Sequence, residues 1–193
     1  ALVRDKRVAE LFLLPAAQTR DKTAVSAEDM VRVCDELRQS FDFLLIDSPA
    51  GIEQGFRNAV APANEVIIIT NPEVAAVRDA DRVIGLLEAE EKGPTRLIIN
   101  RVRPDMVRRG DMLTTEDVIE LLAVDLIGVI PEDETVLSAA NTGRPVALSD
   151  NSPAGRAFHN IARRLLGEEV PFTPLEEPGI LQRILRWVRP EGE

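Results

Sequence analysis

Phe43-Leu44-Leu45-Ile46-Asp47-Ser48-Pro49-Ala50-Gly51 is the stretch from which the fold is read. Four apolar residues run into an aspartate, then small residues, then a glycine. A run apolar on both faces suits a strand buried in a parallel sheet, and the residues after it form the loop at its carboxyl end. The pattern recurs outward from here. Residues 11–14 before Pro15 predict a short buried strand stopped by proline, and 65–70, 96–100 and 125–130 predict three more. Between them the period lengthens. Ser26 with Asp29 three residues on opens a helix to about Gln39, with Val31, Val33, Cys34 and Leu37 on or near its buried face. Helical spacing follows over 74–90, 114–123 and 133–141. Ser152-Pro153 supplies an N-cap and a first-turn proline for a last helix to about Leu166, closed by Gly167. Strands alternating with helices predict an α/β fold, a parallel sheet flanked by helices.

In such a sheet, ligands lie outside the carboxyl ends of the strands. Those ends carry Asp47, Thr70-Asn71, Asn100-Arg101 and Pro131-Glu132-Asp133, a polar row where a nucleotide would lie. Any one of them alone is an ordinary strand terminator. In P-loop nucleoside triphosphatases an Asp at the position of Asp47 orients the water shell of Mg²⁺, and a following Gly, here Gly51, sets a backbone N–H near the γ-phosphate. The companion loop G-x-x-x-x-G-K-[ST] does not occur in these residues.

Composition narrows the classes. The 193 residues, 45% apolar, suffice for one α/β domain, and with 4% aromatics its core must be aliphatic. A net charge of −10 argues against nonspecific nucleic-acid binding. A lone Cys34 forms no internal disulfide, which fits a reducing cytoplasm, and one Cys with one His cannot make a Cys/His zinc site. No apolar run approaches the roughly 18 residues of a membrane span. His159 falls inside the last helix and no G-x-S-x-G elbow is present, which sets aside a serine hydrolase.

Several longer blocks resemble one family. Gln18-Thr19-Arg20-Asp21-Lys22, Asp47 through Glu53, Asn71-Pro72-Glu73-Val74, Val77-Arg78-Asp79, Arg109-Gly110-Asp111-Met112-Leu113, Gly128 through Asp133 and Leu165-Leu166-Gly167-Glu168-Glu169 are together similar to the MinD/ParA family of deviant Walker A ATPases. The resemblance runs from about Asp5 to the tail. It implies a P-loop-type fold, ATP and Mg²⁺ as cofactors, and a homodimer when ATP is bound. Asp47 would assist the metal through water and, with Gly51, serve catalysis. Asn100, Arg101, Pro131, Glu132 and Asp133 would lie against adenine. Asp79 and Asp81 would belong to a surface for MinC-like and MinE-like regulators, although the bare sequence favours a solvated helix face. The family pattern opens with a strand and a K-G-G-x-G-K-[ST] loop, so the expectation is a domain whose N-terminal third is missing and which is inactive alone.

The tail is the second strong signal. About 100° per residue places Ile180, Leu181, Ile184, Leu185, Trp187 and Val188 in one arc, with Gln182, Arg183, Arg186 and Arg189 opposite. That pattern suits an anionic membrane surface; it equally suits a helix docked on the domain's own core or on a partner. The family resemblance and the preceding proline-rich stretch favour the membrane. The expected organisation is a nucleotide-binding domain over 1–169, a Pro/acidic linker over 170–178 and an amphipathic membrane-targeting helix over 179–193. The expected location is cytoplasmic, peripheral on the inner face of the cell membrane. The expected function is a fragment of an ATPase that recruits a division inhibitor to place the septum. The alternatives are a naturally truncated, non-hydrolysing membrane- and partner-binding module and, further off, a ParA-like partition ATPase.

Overall fold

The computed structural model describes residues 2–15, 25–149 and 151–172, and the chain divides into two compact units, Ala1–Ala63 and Asn64–Glu193.

In the first unit, β1 (Val3–Arg4) and β2 (Phe12–Leu13) form a short antiparallel ribbon, with Val3 opposite Leu13 and Arg4 opposite Phe12. The Phe12 ring meets Phe41 edge-on at 5.3 Å. Helix α1 (Ala27–Leu37) begins as its sequence requires. Ser26 accepts from the Asp29 N–H, and the Asp29 carboxylate accepts from the Ser26 N–H, a reciprocal cap. Cys34 is the residue of α1 that is fully buried. Helix α2 (Gln54–Val60) buries Phe56, Asn58, Ala59 and Val60; the Asn58 amide donates to Val25 O at 2.6 Å, so its burial leaves no orphan donor.

Two expectations fail in this unit. Residues 43–46 form no strand, and of residues 11–14 only Phe12–Leu13 form one, which is exposed. Phe43 and Leu45 are exposed while Leu44 and Ile46 are half-buried, so the segment covers one side only. An apolar run becomes a strand only when neighbours complete its hydrogen-bond ladder, and none of the described residues pairs with this one. Leu11, Leu13 and Leu14 are likewise exposed beside a ribbon of only two-residue strands.

The second unit has the expected architecture. Strands β3 (Val66–Thr70), β4 (Thr95–Val102) and β5 (Asp125–Pro131) are parallel in the order β3-β4-β5. The crossovers carry α3 (Val74–Ala89) between β3 and β4, and α4 (Pro104–Arg109) and α5 (Thr115–Leu122) between β4 and β5. Helix α6 (Glu134–Asn141), a single 3₁₀ turn at Val146–Leu148 and α7 (Pro153–Leu165) follow. Leu97 and Ile99 of the central strand are fully sealed. Ile98, Ile127, Ile130, Ala154 and Ile161 form the core under α7, with Ile67, Ala157 and Leu165 packed at its margin. Gly128 permits that approach: a Cβ there would overlap the Ile161 side chain. Helix α2, helix α4 and the 3₁₀ turn were not legible, being too short to show a period.

Candidate nucleotide-side edge of the sheet

The carboxyl ends of β4 and β5 are adjacent, and they bring Asn100-Arg101 beside Pro131-Glu132. The register slips between Ile99 and Val102, and within that bulge Arg101 adopts φ 57. A left-handed arginine inside a strand costs on the order of 1–2 kcal/mol, so its surroundings must hold it there. They do so through Glu132. Its N–H donates to Val102 O at 2.9 Å, and its carboxylate accepts from Arg101 Nη2 at 2.8 Å and lies 3.5 Å from Arg103 Nε.

The network continues outward. Asp105 accepts from Arg103 at 3.2 Å and Arg109 at 3.4 Å, and Arg109 also donates to Asp111 at 2.8 Å. Slight burial works against the Asp105 charge, and the two arginines outweigh it and hold its carboxyl below the usual range. All these groups are exposed enough that the pairs contribute more to orientation than to stability. The sequence reading missed this chain of charges. Its only trace was the alternation Arg101, Arg103, Asp105.

Asp133 lies on the same edge, with its side chain already committed. One oxygen accepts from the Thr135 N–H at 2.9 Å and from its hydroxyl; the other accepts from Ser152 Oγ at 2.7 Å and the Ala154 N–H at 3.2 Å. It therefore caps α6 and, through Ser152, ties in the start of α7. Partial burial opposes its charge, but the Thr135 and Ser152 hydroxyls and the two backbone N–H groups win, holding the carboxyl down at about 2. The signal was the Asp-x-Thr at a helix start.

Asp47 and Gly51 belong to the first unit. Asp47 is exposed, in an extended stretch that leads through Ser48-Pro49-Ala50 to Gly51 at φ +94, a backbone state natural only to glycine, and then into α2. Asp79 and Asp81 stand on the exposed side of α3, Asp79 3.9 Å from Arg82, while Val77, Ala80, Ile84 and Leu87 face inward. Asn71 and Pro72 end β3, and Pro72 O accepts from the Leu113 N–H, tying the α4–α5 turn to this edge. Among the described residues no three His, Cys, Asp or Glu side chains gather to hold a metal directly. The Gln18–Lys22 block and Ile180, Leu181, Arg183, Ile184, Leu185, Arg186, Trp187, Val188 and Arg189 lie outside the described residues.

Residues 10–166 match the family described as cellulose biosynthesis protein BcsQ. The named relatives are more specific. The septum site-determining protein MinD of Synechocystis is 56% identical over 89% of this chain and 65% of its own length, and that of Bacillus subtilis is 50% identical over 92% and 67%. The chain belongs to the MinD family. The solved MinC:MinD cell division protein complex of Aquifex aeolicus superposes with a TM-score of 0.83 at 44% identity, covering 90% of this chain and 69% of that one. The MinD-family chain thus carries the P-loop-type fold, a parallel three-stranded sheet flanked by helices. It spans about two thirds of the length of the curated relatives it matches. Among its described residues no helix is long and apolar enough to cross a membrane.

Proposed function

We propose that these residues supply the adenine side and the second-switch side of a MinD-type ATPase, a protein that binds ATP, dimerises on a membrane and recruits a division inhibitor. The observation that carries this reading is the edge formed by Asn100-Arg101 and Pro131-Glu132, in a chain about half identical to MinD proteins. Asn100 offers an amide with both donor and acceptor for a base edge. Arg101, held by Glu132, and Pro131 bound the space in which a flat ring would lie. Asp133, whose carboxylate accepts four hydrogen bonds, supports that edge by fixing the starts of α6 and α7.

The donor chemistry in the first unit fits magnesium held through water. Asp47 is an exposed carboxylate, and Gly51 has a backbone that a side chain would disfavour. Mg²⁺ would neutralise phosphate charge when bound; Asp47 would orient its water shell, and Gly51 would present its N–H towards the terminal phosphate. No G-x-x-x-x-G-K-[ST] loop lies among these 193 residues, so the roles proposed for them leave out the phosphate cradle. Asp79 and Asp81 on α3 fit a partner surface of the MinC and MinE kind, which the MinC:MinD relative supports in kind. The 179–193 segment would bind anionic lipid, weakly as one copy and firmly as two joined by an ATP-bound dimer.

The test is ATP turnover by the whole product of the native gene, with and without phosphatidylglycerol vesicles. Turnover should require Mg²⁺ and rise with vesicles, and Asp47→Asn should lower it by about 100-fold or more. A whole product that binds no ATP, or an Asp47→Asn variant with unaltered turnover, would sink this assignment.

A further inference from the structure

The C-terminal end of α7 is held by a device that the nucleotide reading does not use. Gly167, at φ +85, closes the helix with its N–H on Arg164 O, and the Glu168 N–H returns to Arg163 O. The chain then turns back as the short strap Glu168–Phe172. Arg164 gathers it. Its Nε donates to Val170 O, its Nη2 to Pro171 O and its Nη1 to Ile127 O of β5, each at 2.9 Å. The same guanidinium lies over the Phe172 ring, 4.0 Å from its centroid. Beside it Arg163 Nε donates to Glu168 at 2.8 Å.

An arginine at a helix end ordinarily serves that helix's own carbonyls. Here the side-chain donors go to a strand and to the returning chain, an arrangement only a planar fork can make and a lysine cannot. We propose that Arg164 is a latch that holds the returning residues 168–172 against β5, so that the chain stays on the domain beyond the helix end at Gly167.

The experiment uses native-state cleavage by a glutamyl endopeptidase on the whole chain, following the fragments that end at Glu168 and Glu169. Arg164→Ala should speed these cuts about tenfold, Arg164→Lys nearly as much, and Phe172→Ala several-fold with an unchanged thermal midpoint. Wild-type cleavage rates in Arg164→Ala, or full protection restored by lysine, overturn the latch. If Arg164→Ala does not fold, Phe172→Ala decides in the same way.

Discussion

At the scale of single residues, Asp133 shows how one side chain can be both near a site and structural. Its four hydrogen bonds join the starts of α6 and α7, and Asp133→Ala should lower stability by about 1–2 kcal/mol, read from the denaturant midpoint. The pH dependence has a fixed sign. Its folded carboxyl sits at about 2, below the ordinary 3.8, so the unfolded chain takes up a proton first on acidification. The stabilisation is complete above the ordinary value, declines as pH falls from about 4 towards 2, and is lost below the folded value. Chemical denaturation at pH 6 and at pH 2.5 should therefore show the gap between wild type and Asp133→Ala narrowing in acid. A gap that stayed constant would mean that the carboxylate charge is not what the two caps require.

At the scale of elements, the packing of α7 on β5 turns on Gly128. Gly128→Ala places a methyl group into Ile161 and should cost about 1–3 kcal/mol. Adding Ile161→Ala should recover part of that loss, so the double variant is more stable than the two single costs predict, as measured by equilibrium unfolding. Simple additivity would show that the two side chains do not meet. Elements of this kind were legible because each carried its own signal: a reciprocal cap at Ser26 and Asp29, unbroken β-branched runs in β3, and Ser152-Pro153 before α7. The stretch 43–46 carried an equally clear apolar signal and still makes no strand, because a ladder needs partners that local sequence cannot supply. The candidate site divides along the same line. Asn100, Arg101, Pro131 and Glu132 were readable as the residues that follow the apolar runs, although β4 continues through Asn100 and Arg101 to Val102. The bulge that turns Arg101 to Glu132, and the pairing of Asp133 with Ser152, arise only when distant segments meet.

At the scale of the whole molecule, the two units differ in how their apolar residues are covered. In Asn64–Glu193 the central strand is paired on both sides, and Leu97, Ile99 and Val118 are fully sealed. In Ala1–Ala63, Leu2, Val3, Leu11, Leu13, Leu14, Phe43 and Leu45 are all exposed, and the loop bearing Asp47 and Gly51 has no ladder among the described residues. Amide protection follows paired backbone and buried contact rather than apolar composition. Hydrogen exchange followed by mass spectrometry should therefore find the amides of 97–99 opening only with the global unfolding of their unit. The amides of 43–53 should exchange at least about 100-fold faster, through openings that leave β4 intact. The same contrast bears on function, since segments that must rearrange around a nucleotide come from the weakly held end of this range, while the Asn100–Glu132 edge is built on the strongly held one. Equal protection in both stretches would show that 43–53 gains cover from contacts these residues do not display, and the second-switch assignment of Asp47 and Gly51 would lose its structural freedom to respond to ATP.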